Sequence, residues 1–181
     1  IDIGSNDATT LKRYPRNNYK LVGIDPTGIK FSSYYPPEID LIPDFFSAEA
    51  VKKATQGTKA KVITAFSMFY DLEDPISFAK EIAGALDKEG IWIFEQSYMP
   101  AMLKTNSFDT ICHEHLDFYG LRQIEWILDA AGLKLIDVEF NEINGGSFSV
   151  TAALIESKRP QNIDLIDKIL NEERALGLAT S

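Results

Sequence analysis

Ile1-Asp2-Ile3-Gly4-Ser5-Asn6-Asp7 and, a short interval later, Tyr19-Lys20-Leu21-Val22-Gly23-Ile24-Asp25 decide the fold. The first stretch is a hydrophobic strand that runs into a tight glycine turn. Asp7 is placed to cap a helix over Ala8-Thr9-Thr10-Leu11-Lys12-Arg13. The second stretch is another strand, ending on an acid. Strand, glycine turn, helix, strand and an acid about twenty residues beyond the glycine form a nucleoside-binding half-unit, whose terminal carboxylate can accept both ribose hydroxyls.

The turn also bears on which nucleoside is bound. A dinucleotide fingerprint needs three glycines so that a pyrophosphate can approach the helix N-terminus. Here Gly4 stands alone, followed by Ser5, Asn6, Asp7 and Ala8. An acid where a pyrophosphate would sit disfavours NAD and leaves a nucleotide-sugar dehydrogenase or epimerase as the alternative. The pattern suits S-adenosylmethionine, whose amino-acid tail carries no phosphate and whose ammonium and sulfonium can meet Asp2 and Asp7.

Beyond Asp25 the alternation continues. Pro26-Thr27-Gly28 is a turn, and Ile39–Ile42 is a third strand ending at Asp44-Phe45-Phe46. Ser47 caps a helix to about Gln56, with Glu49 in its first turn. Ala60–Phe66 is a fourth strand, Asp74-Pro75 opens a helix to Leu86, and Gly90–Gln96 is a fifth strand. A helix from Leu121 to Ala131 stops at Gly132. Two strand-like runs, Leu133–Phe140 and Phe148–Ile155, flank Asn144-Gly145, a hairpin signal. The expected fold is α/β: a Rossmann-like, doubly wound, mostly parallel sheet of about seven strands ending in an antiparallel hairpin. The run from Leu165 to Leu176 reads as an amphipathic helix with little left to pack against.

In this frame Gly4 lets the methionine tail pass close to backbone, with Asp2, Ser5 and Asn6 around it, and Asp25 and Pro26 meet the ribose. Asp44 can accept from the adenine amino group. Either Phe45 or Phe46 can stack on the ring. Ala65-Phe66-Ser67 follows the fourth strand and lines the cleft.

Both histidines and the single cysteine fall within four consecutive positions, Cys112-His113-Glu114-His115. Imidazole is the side chain whose unperturbed pKa lies nearest neutrality, so a neighbouring carboxylate can tune it into a base. A zinc site from His113, Glu114 and His115 finds no histidine or cysteine outside these four positions to complete it. Only one of the two imidazoles need enter a pocket to serve as a base, and the other can be a surface residue.

Asp2 through Asp7, Gly23-Ile24-Asp25-Pro26-Thr27, Phe94-Glu95-Gln96-Ser97-Tyr98-Met99, the run from Asn106 through Tyr119 and Asn144-Gly145-Gly146-Ser147 resemble the sugar C-methyltransferase family of antibiotic deoxysugar biosynthesis. The likeness covers nearly the whole chain. It implies the central S-adenosylmethionine domain of a three-domain protein, between an N-terminal zinc-binding module and a C-terminal Rossmann-like domain. The implied division is a methyltransferase domain over 1–156 and a connecting helix over 157–181. The implied reaction is methylation of a carbon beside a ketone in a nucleotide-linked keto-deoxysugar, through a base-generated enolate. Transfer to an oxygen of a sugar or other small molecule would use much the same residues.

Mapped onto this sequence, the resemblance makes His115 the base and Glu114 its carboxylate neighbour. Cys112 stands where the family has tyrosine. A thiol is a poorer donor toward an enolate oxygen, which leaves His113 or Tyr119 for that task. Tyr98, Asn106, Tyr119 and the Asn144, Gly145, Gly146 and Ser147 turn are the implied substrate contacts.

Composition is compatible with this. A hydrophobic content of 45% and 181 residues suffice for one full core. A net charge of −9 disfavours a nucleic-acid partner, which needs a basic stripe. A single cysteine excludes an intrachain disulfide and fits a reducing cytoplasm, and no apolar run is long enough to span a membrane.

Overall fold

The structure, a computed structural model, describes residues 1–15 and 19–178. Its centre is a seven-stranded sheet in the order β3-β2-β1-β4-β5-β7-β6. The strands are β1 (Asp2–Ile3), β2 (Leu21–Ile24), β3 (Ile39–Ile42), β4 (Ala60–Phe66), β5 (Leu86–Ser97), β6 (Leu133–Asn141) and β7 (Ser147–Leu154). The helices are α1 (Gly28–Phe31, a single turn), α2 (Ala48–Ala54), α3 (Pro75–Ala85), α4 (Met99–Thr105), α5 (Leu121–Ala130) and α6 (Ile163–Ala175). The first five strands pair in parallel, and β7 joins β5 and β6 antiparallel. The sheet is the mostly parallel Rossmann-like one expected, closed by the hairpin.

Register places the site. Ile3 lies opposite Ile24 on one side and Ala65 on the other. Gly4, Asp25 and Phe66, the next residues of three adjacent strands, therefore emerge side by side. This is where strand order reverses, the crevice in which open α/β sheets bind ligands.

Helix starts follow local chemistry. Ser47 accepts the Ala50 N–H at 3.1 Å, and Asp74 accepts the Ser77 N–H at 2.9 Å with Pro75 opening α3. The helix expected over Ala8–Arg13 is absent. Asn6 and Ala8 are left-handed, at φ +48° and +61°, which an α-helix does not tolerate, so only a 3₁₀ turn at Leu11–Arg13 forms. Asp7 instead accepts the Thr9 N–H and hydroxyl in a local turn.

On one face of β5, Trp92 and Phe94 stack at 4.0 Å, and Phe69 packs on both at 5.5 and 5.0 Å. Phe69 belongs to the 3₁₀ turn Phe69–Asp71 that follows β4 and is fully buried. Anchored in this way, the turn carries a half-buried Tyr70 and an exposed Asp71. Contrary to the expectation that it had little to pack against, α6 buries Ile166, Ile169 and Glu173 against α5 and β6. The last three positions of the 157–181 segment lie outside the described residues. No helix among the described residues is long and apolar enough to cross a membrane.

Candidate active site

The strand ends enclose a cleft of about 210 Å³ lined by Asp2, Gly4, Ser5, Asn6 and Phe66, together with Asp7, Thr9 and Thr10. Gly4 has φ +68°, a conformation that favours glycine, and a methyl group added there would meet only Met68 Cγ at 3.8 Å. The backbone at Gly4 is therefore open to an extended ligand. Thr9 and Thr10 were not anticipated, because a helical reading of Ala8–Arg13 points them elsewhere.

Asp2 is 3% exposed and accepts the Thr64 hydroxyl at 2.5 Å. Burial pushes its carboxyl above the usual range, partly offset by the Thr64 bond. An ionised Asp2 destabilises the ligand-free fold but suits a cationic ligand. Asp2→Asn, which keeps an acceptor for Thr64, should raise the melting temperature of the ligand-free domain at neutral pH. The folded protein holds this proton to higher pH than the unfolded chain does, so the penalty exists above the raised value and fades as pH falls toward about 3.9. Thermal melts should therefore show the variant's advantage shrinking on acidification. An advantage constant between pH 7 and 4 would contradict this assignment.

Asp25 is buried and already accepts three bonds. Asn6 N–H reaches Oδ2 at 2.9 Å, while the Thr27 N–H and hydroxyl both reach Oδ1 at 2.7 Å. A carboxylate offers about four lone-pair sites, so acceptance remains mainly on Oδ2. Pro26 beside it is exposed. At the end of β3, Asp44 Oδ1 takes the Phe45 N–H at 2.8 Å. Phe45 is 76% exposed, whereas Phe46 packs on Phe78 at 5.3 Å. Of the two phenylalanines, Phe45 is the one free to stack on a base.

Three members of the expected cofactor set contribute less than their side chains suggested. The Ser5 hydroxyl is paired with Tyr35 at 2.7 Å. Ala65 is fully buried. Ser67, at φ +53°, places its N–H on the Glu95 carbonyl at 2.8 Å and its side chain on Tyr70.

Beyond the turn that follows β4, the half-buried His115 packs against Tyr70 with ring centroids 4.3 Å apart. Its Nδ1 lies 2.7 Å from the Thr110 carbonyl. A carbonyl only accepts, so Nδ1 carries the hydrogen and Nε2 keeps its lone pair, the tautomer a general base needs. Leu116 and Asp117 donate their N–H groups to the Tyr70 carbonyl, at 2.9 and 3.2 Å, and stitch the histidine segment to the turn after β4.

The carboxylate expected to serve His115 stands elsewhere. Glu114 Oε1 is 3.8 Å from His113 Nε2, and both side chains are exposed. His113 and Glu114 lie in a turn closed by the His115 N–H on the Cys112 carbonyl at 3.3 Å, so adjacency in sequence does not bring Glu114 to His115. Asp71 replaces it. Partial burial pushes the Asp71 carboxyl upward; the charge of His115 opposes that rise and the charge of Glu114 adds to it. Burial likewise raises the Tyr70 phenol, which stays protonated and able to donate. Tyr70 and Asp71 carry no sequence signal beyond following a strand end. Cys112 is exposed.

The expected substrate contacts divide. Tyr98 is buried and its hydroxyl donates to Glu173 at 2.9 Å. Tyr119 is buried and donates to Asp117 at 3.0 Å, so its proton is already committed. Ser147 is 2% exposed and donates to the Ile143 carbonyl at 2.9 Å. Gly146 backs directly onto Ala101. Asn106 closes α4 in a left-handed conformation and is exposed, as are Asn144 and Gly145. Among the described residues, no group of three or more His, Cys, Asp or Glu side chains is arranged to hold a metal ion.

The model of a family described as "Methyltransferase domain" matches residues 1–138. The chain belongs to that family. Its methyltransferase cofactor is S-adenosylmethionine, and the residues at these strand ends are compatible with it: acids and open backbone at Gly4 in the cleft, and beside it the Asp25 carboxylate and the exposed Phe45 ring. The methyltransferase is 28% identical to the C-methyltransferase NovU of Streptomyces niveus, over 99% of this chain and 43% of that protein. It therefore spans less than half the length of that relative. Among solved structures, LepI in complex with SAM superposes with a TM-score of 0.66 at 17% identity, over 84% of this chain and 42% of LepI. A SAM-dependent methyltransferase from Anabaena variabilis gives 0.64 at 12% identity, over 85% and 76% of the two chains. At those identities the likeness is one of fold.

Proposed function

We propose that this domain methylates a carbon next to a ketone in a nucleotide-linked keto-deoxysugar, with His115 as the base. The observation that carries the reading is the Thr110 carbonyl on His115 Nδ1, which leaves Nε2 as the nitrogen that can take a proton. The identity to the C-methyltransferase NovU supports carbon as the methyl acceptor. When bound, S-adenosylmethionine supplies an electrophilic sulfonium methyl.

The chain's residues would act as follows. Nε2 removes the proton alpha to the ketone, and the imidazolium so formed keeps its Nδ1–H on Thr110. Asp71 holds the new positive charge, while the Tyr70 ring fixes the plane of the imidazole. With Tyr119 committed to Asp117, the Tyr70 phenol is the donor beside the base that can meet the enolate oxygen. Gly4, Asp2, Asp25 and Phe45 hold the cofactor. We further take residues 1–156 as the methyltransferase domain and α6 as the connection to other domains of a longer protein.

The test is methyl transfer by the full-length protein to a panel of nucleotide-linked keto-deoxysugars, with the product mapped by NMR. A new carbon–carbon bond at the carbon beside the retained ketone supports the reading. A methyl ether instead assigns the domain to oxygen methylation.

A further inference from the structure

Glu173 on α6 is a buried carboxylate, 3% exposed, that the proposed chemistry does not use. Its Oε1 accepts the Tyr98 hydroxyl at 2.9 Å and the Leu121 N–H at 2.6 Å, and its Oε2 accepts the Arg122 N–H at 3.2 Å. These donors flank one segment. Tyr98 stands at the end of β5, immediately before residues 99–119, and Leu121 and Arg122 open α5 just beyond them. The segment between carries the Cys112-His113-Glu114-His115 cluster.

The two ends already touch. Tyr98 and Tyr119 form an isolated parallel bridge, and Met99 N–H reaches the Tyr119 carbonyl at 3.0 Å. Gly120, the residue before α5, has no side chain with which to cap it. A methyl group there would sit 3.0 Å from Glu173 Oε1, so glycine makes the room that the carboxylate fills. A buried charge is tolerated only when donors compensate it, and three do.

We propose that Glu173 is a positioning residue that clamps both ends of segment 99–119, so that docking of α6 sets where His115 stands. The consequence for catalysis rests on the reading of His115 as base; the clamp itself does not. Two variants separate the contacts. Glu173→Gln turns an amide N–H₂ toward donors and loses the compensation at α5. Tyr98→Phe removes only the phenol bond, because the ring is held independently by Phe140 and Phe148 at 5.0 and 4.9 Å.

The experiment is amide hydrogen exchange on the full-length protein, paired with NMR of the His115 Nδ1–H that bonds Thr110. Glu173→Gln should speed exchange across 106–119 by roughly tenfold or more, with β4 unchanged. It should also broaden or abolish the His115 Nδ1–H resonance while S-adenosylmethionine affinity stays within about twofold. Tyr98→Phe should speed exchange in the same segment by a few-fold. If Glu173→Gln does not fold, Tyr98→Phe carries the test, and unchanged exchange there overturns the clamp. Opening confined to the first turn of α5, with the His115 resonance intact, would make Glu173 a helix cap only and equally overturn it. His115→Gln should leave exchange elsewhere in the segment near wild type, so failure of the base assignment and failure of the clamp give different results.

Discussion

His115→Gln is expected to cut turnover by about 10²–10⁴-fold while leaving S-adenosylmethionine affinity near wild type. The Thr110 carbonyl holds the hydrogen on His115 Nδ1 and leaves the lone pair on Nε2. Glutamine removes that lone pair and keeps a polar side chain of similar reach. His115 is not among the residues that line the cleft at Gly4, so cofactor affinity should not follow. Initial rates with calorimetric cofactor binding check both halves. Turnover within a few-fold of wild type would place the base elsewhere, with His113 next.

Asp25→Ala is expected to weaken S-adenosylmethionine binding by roughly ten- to hundredfold, the 1.5–3 kcal/mol of a charge-assisted contact. The structure adds a second cost. Asp25 also pins the Asn6 N–H and the Thr27 turn, so its loss frees two backbone donors beside the ribose position. The variant should therefore melt lower than wild type as well as bind more weakly. Calorimetric titration and a thermal melt test the pair. Unchanged affinity would remove Asp25 from the cofactor site.

Sheet architecture was legible because its signals are local: apolar runs of strand length, Ser47 and Asp74 as caps, and Asn144-Gly145 between two strands. The register that brings Gly4, Asp25 and Phe66 together follows from that order. Local signals failed where the deciding group is distant or belongs to the backbone. Nothing in the letters Asn6 and Ala8 announces left-handed backbone, so a helix was expected where a 3₁₀ turn formed. Glu173 meets Tyr98 across 75 positions, and α6 therefore seemed to lack a partner. The partner that sets His115 is a main-chain carbonyl, which no side-chain pattern displays. Glu114 is the carboxylate that adjacency and the family resemblance imply, but it lies 3.8 Å from His113, while the charge of His115 acts on Asp71 in a turn that Phe69 anchors.

Proton removal can be watched apart from methyl transfer. The full-length protein is placed in deuterated water with a nucleotide-linked keto-deoxysugar and a non-reactive analogue of S-adenosylmethionine. Deuterium at the carbon alpha to the ketone is then followed by NMR. Wild-type protein should wash deuterium into that carbon, and His115→Gln should not. Undiminished exchange in the His115→Gln variant, or no exchange in wild type with a sugar that is methylated at carbon, would contradict His115 as the base that forms the enolate.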